Sequence, residues 1–270
     1  MTTLADVMAA AERLWPIAGA ESWDAPGLVS GDPRATVSRI VLAVDAVAET
    51  IDEAIDANAE LLLVHHPLLL RSVTTVAETT AKGALIARLI RGGCALLAAH
   101  TNADSVATGT SARLAELVGL TDARPIVETA PGIGLGRVGR LPEPMTLGAL
   151  ARRLAGILPL TATGVRVAGS FDRVVTTVAV CGGAGDSLLN EPAVRAADVY
   201  VTADLRHHPA SEAVETARVA GGPALIDVSH WASEWLWLEV AADELREALP
   251  GVEINVSELR TDPWDFVVVQ

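Results

Sequence analysis

Lysine is almost missing from this chain. Lys82 is the only one, and arginine carries the rest of the cationic charge. With 20 basic against 34 acidic residues the formal net charge is −14, and there is no basic stripe of the kind that direct nucleic-acid binding requires. Aromatics make up only 3% of residues while half are hydrophobic, so a core has to be built from Ala, Val and Leu. That composition suits a helix-covered parallel sheet. The two cysteines, Cys94 and Cys181, cannot make a disulfide framework and lack metal-type spacing, so they read as small buried hydrophobes. No apolar run reaches membrane-spanning length, and Asp6, Glu12 and Arg13 interrupt any signal-peptide pattern. A soluble, cytoplasmic protein is expected. Its 270 residues suffice for one large core or two smaller ones.

Histidine, by contrast, is placed with regularity. Each of the six lies at or just past the end of an apolar run. Leu61-Leu62-Leu63-Val64 reads as a buried parallel strand, stopped by Pro67, which has no N–H for the ladder. His65 and His66 therefore sit at the carboxyl end of a strand, where open α/β sheets place their ligand crevices. Side chains alternate along a strand, so these two imidazoles are expected to diverge towards two ions. A pair of surface-loop histidines would give the same local pattern. Leu96-Leu97-Ala98-Ala99 runs into His100, with Asp104 four residues on. Ala224-Leu225-Ile226 and Val228 run into His230, with Glu234 four residues on. Four residues is one helical turn, so each His-x-x-x-carboxylate pair can share a face. Imidazole with carboxylate suits Zn, Mn, Fe or Ni, and a dinuclear site needs about five or six such ligands around ions roughly 3.5–4 Å apart.

Helical spacing predicts helices over 4–15, 49–58, 82–91 and 111–118, with strands over 40–44, 61–64 and the run before His100. The stretch Pro131–Gly136 marks an internal boundary, and beyond it the plan partly repeats. Arg39-Ile40-Val41 has a counterpart in Arg173-Val174-Val175, the Leu61 strand in Asp198–Thr202, and the Gly92-Gly93 approach to His100 in the Gly221-Gly222 approach to His230. The expected architecture is α/β: two related subdomains facing each other across a cleft that holds the metals. The first would span 1–127, completed by 228–270, and the second 128–227. Cys181-Gly182-Gly183-Ala184-Gly185, between a strand over 174–180 and a helix from about Leu188, reads as a tight turn or as amides facing a phosphate. Trp231, Trp235 and Trp237 read either as interior or subunit packing or as walls of a base pocket.

Six segments in order carry a family resemblance: Ser22-Trp23-Asp24 with Gly27-Leu28; Val64-His65-His66-Pro67; His100-Thr101-Asn102-Ala103-Asp104; Cys181–Gly185; Thr202-Ala203-Asp204-Leu205-Arg206-His207-His208; and Ser229-His230-Trp231-Ala232-Ser233-Glu234. Through them the chain resembles, over nearly its whole length, the GTP cyclohydrolase 1 type 2 family of Nif-three-like dinuclear-metal proteins. The resemblance implies two divalent metal ions (Zn, Fe, Mn or Ni) held by His65, His66, Asp104, His230 and Glu234, with Glu234 bridging. It implies His100 and His208 as cleft residues and acid–base candidates, and a toroidal homohexamer. The implied reaction is hydrolytic opening of the guanine imidazole ring of GTP, giving formate and 7,8-dihydroneopterin triphosphate. Gly182, Gly183, Gly185 and Arg206 would then face the triphosphate. Rival readings are another metal-dependent nucleotide or phosphoester hydrolase, and a non-catalytic hexamer serving metal handling or protein interaction. The chain departs from the family pattern at Ala25-Pro26, Ala203 and Ser229, where Asn, Gly and Gly are usual. A mid-chain domain of some relatives is absent.

Overall fold

The structure, a computed structural model, describes residues 1–269. The chain divides into two compact units: Met1–Ala103 with Leu238–Thr261, and Asp104–Trp237 with the residues from Asp262 on. The first holds a five-stranded sheet in the order β1 (Gly27–Ser30), β4 (Ala95–Ala98), β3 (Leu61–Val64), β2 (Arg39–Ala43), β13 (Glu253–Val256). Every pairing is parallel except the β1–β4 edge. All residues of β3 and β4 are buried, which is why these segments read as unbroken apolar runs rather than alternating ones. Helices α1 (Leu4–Leu14), α2 (Ala48–Asp56), α3 (Ala81–Gly92) and α10 (Leu238–Ala248) complete the unit. Ile51 and Ala54 of α2 and Leu89 of α3 pack on Val41, Leu62 and Leu96. Thr80 caps the start of α3, and Gly93, at φ 66°, closes it in the left-handed conformation.

The second unit holds a six-stranded sheet in the order β5 (Thr121–Arg124), β8 (Arg137–Thr146), β10 (Val174–Ala184), β11 (Val199–Ala203), β12 (Ala224–Val228), β9 (Arg166–Ala168). Strands β10, β11 and β12 are parallel and the outer pairings antiparallel. The period of two is explicit: Val178, Val180, Val199 and Val201 face one core with Leu114, Leu150 and Leu154. Ala179, Cys181 and Tyr200 face the other with Leu188, Leu189 and Val194. Helices α5 (Thr110–Val118), α6 (Leu147–Ile157), α7 (Pro192–Arg195), α8 (His207–Ala220) and α9 (His230–Trp235) belong to this unit. The short α4 (Thr101–Ser105) carries the chain across the first junction.

The α/β class follows, and the repeat has a structural counterpart. Strands β2, β3 and β4 are neighbouring parallel strands in chain order, as are β10, β11 and β12, and the third of each set leads into His100 or His230. The compact units change over at 103/104, 237/238 and 261/262, where the expected subdomains changed over at 127/128 and 227/228. Helix α5 and β5 pack on β8 and β10, and α9 packs on β10 and β11, so these segments belong with the second sheet. Pro131–Gly136 is not a linker but the turn and second strand of a hairpin, β6 (Val127–Ala130) and β7 (Ile133–Leu135). Among the described residues no helix is long and apolar enough to cross a membrane. Both cysteines are buried, and burial pushes the Cys181 thiol up to about 12 and the Cys94 thiol up to about 11, so neither is a poised nucleophile.

Helix α3 packs tightly against Ile55 of α2 at Gly92, where an added Cβ would lie 2.5 Å from Ile55 Cδ1. Gly92→Ala is expected to cost about 1–2 kcal/mol net, overpacking outweighing the gain in helix propensity. Ile55→Ala in the same chain should cancel most of the coupling, which a double-mutant cycle of urea midpoints measures.

Candidate metal centre

Because β2, β3 and β4 are parallel and in register, the residues just past them gather at one end of the sheet: Asp45, His65 with His66, and His100. The amides of His65 and His66 still bond to the carbonyls of Ala43 and Val44, at 3.1 and 2.9 Å, but the strand itself ends at Val64. Side-chain alternation ends with it. The ring centroids of His65 and His66 lie 5.1 Å apart, and His100 lies 5.2 Å from His65 and 5.5 Å from His66. One ligand atom from each of the three lies within 4.8 Å of the others. His100, read from sequence as an acid–base group, thus joins an imidazole cluster.

Each ring in this cluster is gripped through Nδ1. His65 Nδ1 is 2.8 Å from the Ala99 carbonyl, His66 Nδ1 is 2.7 Å from Asp45 Oδ1, and His100 Nδ1 is 2.8 Å from Asp24 Oδ1. A carbonyl or an ionised carboxylate only accepts, so Nδ1 carries the proton and Nε2 is the nitrogen suited to a metal. The carboxylates are themselves tied down. Asp45 accepts from the Thr261 hydroxyl, and Asp24 accepts from both the amide and the hydroxyl of Thr101. The Asp24 side chain is fully buried. Burial pushes its pKa up, but the hydrogen bonds from Thr101 and His100 outweigh this and hold it below the usual carboxylate range.

In the second unit, His230 and Glu234 occupy one face of α9, whose first turn is capped by Ser229. His230 Nε2 is 3.0 Å from Glu234 Oε1, and its Nδ1 is 2.7 Å from Asp204 Oδ2. Asp204 reaches it from a left-handed turn at φ 55°, directly after β11. Burial alone would lower the His230 pKa, but the charge of Glu234 and the bonds to Asp204 and Glu234 carry it up to about 11. Asp104 lies on α4 and accepts from the Thr110 hydroxyl. The donor types, imidazoles with ordered Nε2 atoms and carboxylates, fit a divalent transition metal.

The glycine segment departs from its expected form. It is the end of β10, with a register slip between Val180 and Ala184, and a 3-10 turn over Asp186–Leu188 follows instead of an α-helix. The amides of Gly182 and Gly183 donate to Ser111 Oγ at 3.1 Å and to Ser233 Oγ at 2.9 Å. Their smallness has local causes. A Cβ on Gly185 would lie 2.2 Å from the Tyr200 hydroxyl, and one on Gly183 would lie 2.2 Å from Glu234 Oε1. Arg206 pairs with Asp186, and His208 lines a cavity of about 440 Å³ with both. His207 opens into a different cavity, of about 470 Å³. Trp231 and Trp237 are buried and Trp235 packs on the core, as interior residues. Sequence reasoning did not assign Asp45 or Asp204 to the site. Both follow parallel strands at their carboxyl ends, which was the available signal.

Since Gly183 leaves room for the Glu234 carboxylate, Gly183→Ala should displace it from His230. The His230 pKa, read by NMR on isotope-labelled histidine in metal-free protein, is then expected to fall from about 11 toward the ordinary value of roughly 6.5. An unmoved pKa would show that Glu234 is not its main cause.

The chain is similar to known proteins over nearly its whole length. A family model described as Duf34/NIF3 (NGG1p interacting factor 3) matches residues 2–263. A Streptomyces coelicolor protein named GTP cyclohydrolase 1 type 2 homolog is 47% identical, covering 98% of this chain and 94% of its own. A Mycobacterium leprae protein of the same name is 38% identical over 372 aligned positions, covering 97% of this chain and 95% of its own, so it carries a stretch this chain lacks. Among solved structures, a Bacillus cereus protein related to NIF3 superposes with a TM-score of 0.89 at 24% identity, covering 98% of this chain and 99% of its own. A Staphylococcus aureus hypothetical protein superposes with a TM-score of 0.87 at 26% identity and the same coverage. With nearly its whole length matched by the family model, the chain belongs to the Duf34/NIF3 (NGG1p interacting factor 3) family.

Proposed function

We propose that this protein is a dinuclear metal-dependent hydrolase of the GTP cyclohydrolase 1 type 2 kind, acting on GTP and water to give formate and 7,8-dihydroneopterin triphosphate. The observation that carries the reading is the common tethering of His65, His66 and His230 through Nδ1, which leaves each Nε2 as the nitrogen suited to a metal. The name shared by the curated relatives supplies the substrate class. His65, His66, Asp104, His230 and Glu234 are the residues that would hold the divalent ions. Divalent ions there would acidify coordinated water and polarise the ring under attack.

The chain's own residues supply the rest. Asp24 orients His100, so that its ring can take a proton and return it to a leaving nitrogen. His208 is the second acid–base candidate, on the wall of the cavity that Arg206 shares. The anionic part of the substrate falls to Arg206, whose exposed guanidinium would exchange Asp186 for phosphate oxygens. The glycine backbones of Gly182, Gly183 and Gly185 shape that side of the site by their lack of a side chain. We further propose assembly as a closed homohexamer, kept soluble by the net charge of −14.

Purified protein is expected to hold about two divalent ions per chain, and Glu234→Ala to lose most of them without losing solubility. Elemental analysis decides this, and full metal occupancy in the variant would reject the ligand assignment. Because His230 is protonated in the metal-free state, metal uptake at pH 7 should release about one proton from it. Calorimetry in two buffers of different ionisation enthalpy measures that release. For the reaction, metal-loaded protein incubated with GTP should yield formate and dihydroneopterin triphosphate by mass spectrometry, and His65→Ala should yield neither. GTP recovered intact under Zn, Fe, Mn and Ni would sink the cyclohydrolase reading.

A further inference from the structure

Trp23 is the least expected side chain around the three-imidazole cluster. Trp15, Trp231 and Trp237 are buried, whereas Trp23 is 59% exposed. Its indole stands edge-to-face against His100, with ring centroids 5.8 Å apart and an interplanar angle of 76°. It is not a loose surface residue. Ser22 and Trp23 form the corner of a turn closed by the Asp24 amide donating to the Glu21 carbonyl at 3.0 Å. The Glu21 amide donates to Thr101 Oγ1 at 2.9 Å on one side of the corner. On the other side the buried Asp24 carboxylate is held by His100 and Thr101. The loop is thus pinned at both ends to the residues that orient His100, and what it exposes is a large aromatic surface.

Water solvates an indole poorly, and a rigid exposed ring loses little entropy when another flat ring covers it. The chemistry that fits is a neutral, planar heteroaromatic ring. On a chain of net charge −14 with one lysine, stacking is also a way to hold a nucleotide that does not depend on positive charge. We infer that Trp23 is a stacking platform for the purine base of the substrate, a binding residue of the same site. This rests on the nucleotide reading above and deepens it. A base lying on Trp23 is brought up to His100, whose ring adjoins those of His65 and His66. That is where a reaction at the purine's own imidazole ring requires it. Asp24 then serves two ends at once, fixing the His100 tautomer and fixing the platform.

The test separates base from phosphate. Guanosine, which has no phosphate, and inorganic tripolyphosphate, which has no base, are titrated calorimetrically into wild-type, Trp23→Ala and Trp23→Phe protein, metal-free and metal-loaded. Guanosine affinity should fall about tenfold or more in Trp23→Ala, within the range that base–aromatic stacking supplies, and stay within about threefold of wild type in Trp23→Phe. Tripolyphosphate affinity and metal content should not change. Unaltered guanosine affinity in Trp23→Ala, or a wild type that does not bind guanosine, would overturn the inference. So would an equal loss for tripolyphosphate, which would mean loop collapse. A smaller assembly with intact guanosine binding would identify Trp23 as a subunit contact instead. The two readings fail separately: GTP bound through Trp23 but recovered intact rejects only the cyclohydrolase reaction, and turnover with unchanged KM in Trp23→Ala rejects only the platform.

Discussion

Four histidines in this protein are held by Nδ1 against an oxygen that can only accept: the Ala99 carbonyl and the carboxylates of Asp45, Asp24 and Asp204. A hydrogen bond to a charged group is worth about 1.5–3 kcal/mol, enough to select one tautomer and one ring orientation from the alternatives. The arrangement is self-supporting because the carboxylates are anchored too. Asp24 takes Thr101 and Asp45 takes Thr261, while Asp204 is fixed by an unusual left-handed backbone. Without these anchors the imidazoles would be polar side chains at a sheet end, with no reason to converge.

What brings His65, His66 and His100 within reach of one another is the parallel sheet. Strands β2, β3 and β4 are bonded in register, so their carboxyl ends stop together and the residues that follow share one edge. The strands can be parallel only because both faces are covered, and they can be covered closely because their residues are aliphatic and small. The second unit applies the same economy of volume. Glycines at 183 and 185 stand where a methyl group would strike the Glu234 carboxylate or the Tyr200 hydroxyl. The scarcity of aromatics and the glycine content are in this sense requirements of the site as well as of the core.

Charge gives the site its selectivity problem. A surface of net charge −14 repels an anionic ligand at long range, and Arg206 is engaged by Asp186. Recognition by flat surfaces and by nitrogen and oxygen donors is independent of that field. An exposed Trp23 pinned by a buried Asp24 belongs to this kind of recognition.

The sequence by itself determined the α/β class, the doubly buried strands and the grouping of histidine with carboxylate at strand ends. Each of these is written in local pattern: unbroken aliphatic runs, a proline stop, and His-x-x-x-carboxylate spacing across one helical turn. It also carried the ordered motifs by which the family was named. What it left out depends on residues distant in the chain. That His65 and His66 join His100 in one cluster follows from where β3 stops, a point decided by pairing with β2 and β4 and not by Leu61–Val64 alone. The partnership of Asp24 with His100 spans 76 residues, and that of Asp204 with His230 spans 26. The placement of α5 and α9 in the second unit is non-local in the same way, because both pack on β10. Gly182, Gly183 and Ala184 read as part of a turn because their sequence permits one. They form a strand end in which Ala184 pairs with Ala203 of β11 while Ser111 and Ser233 accept from the amides of Gly182 and Gly183.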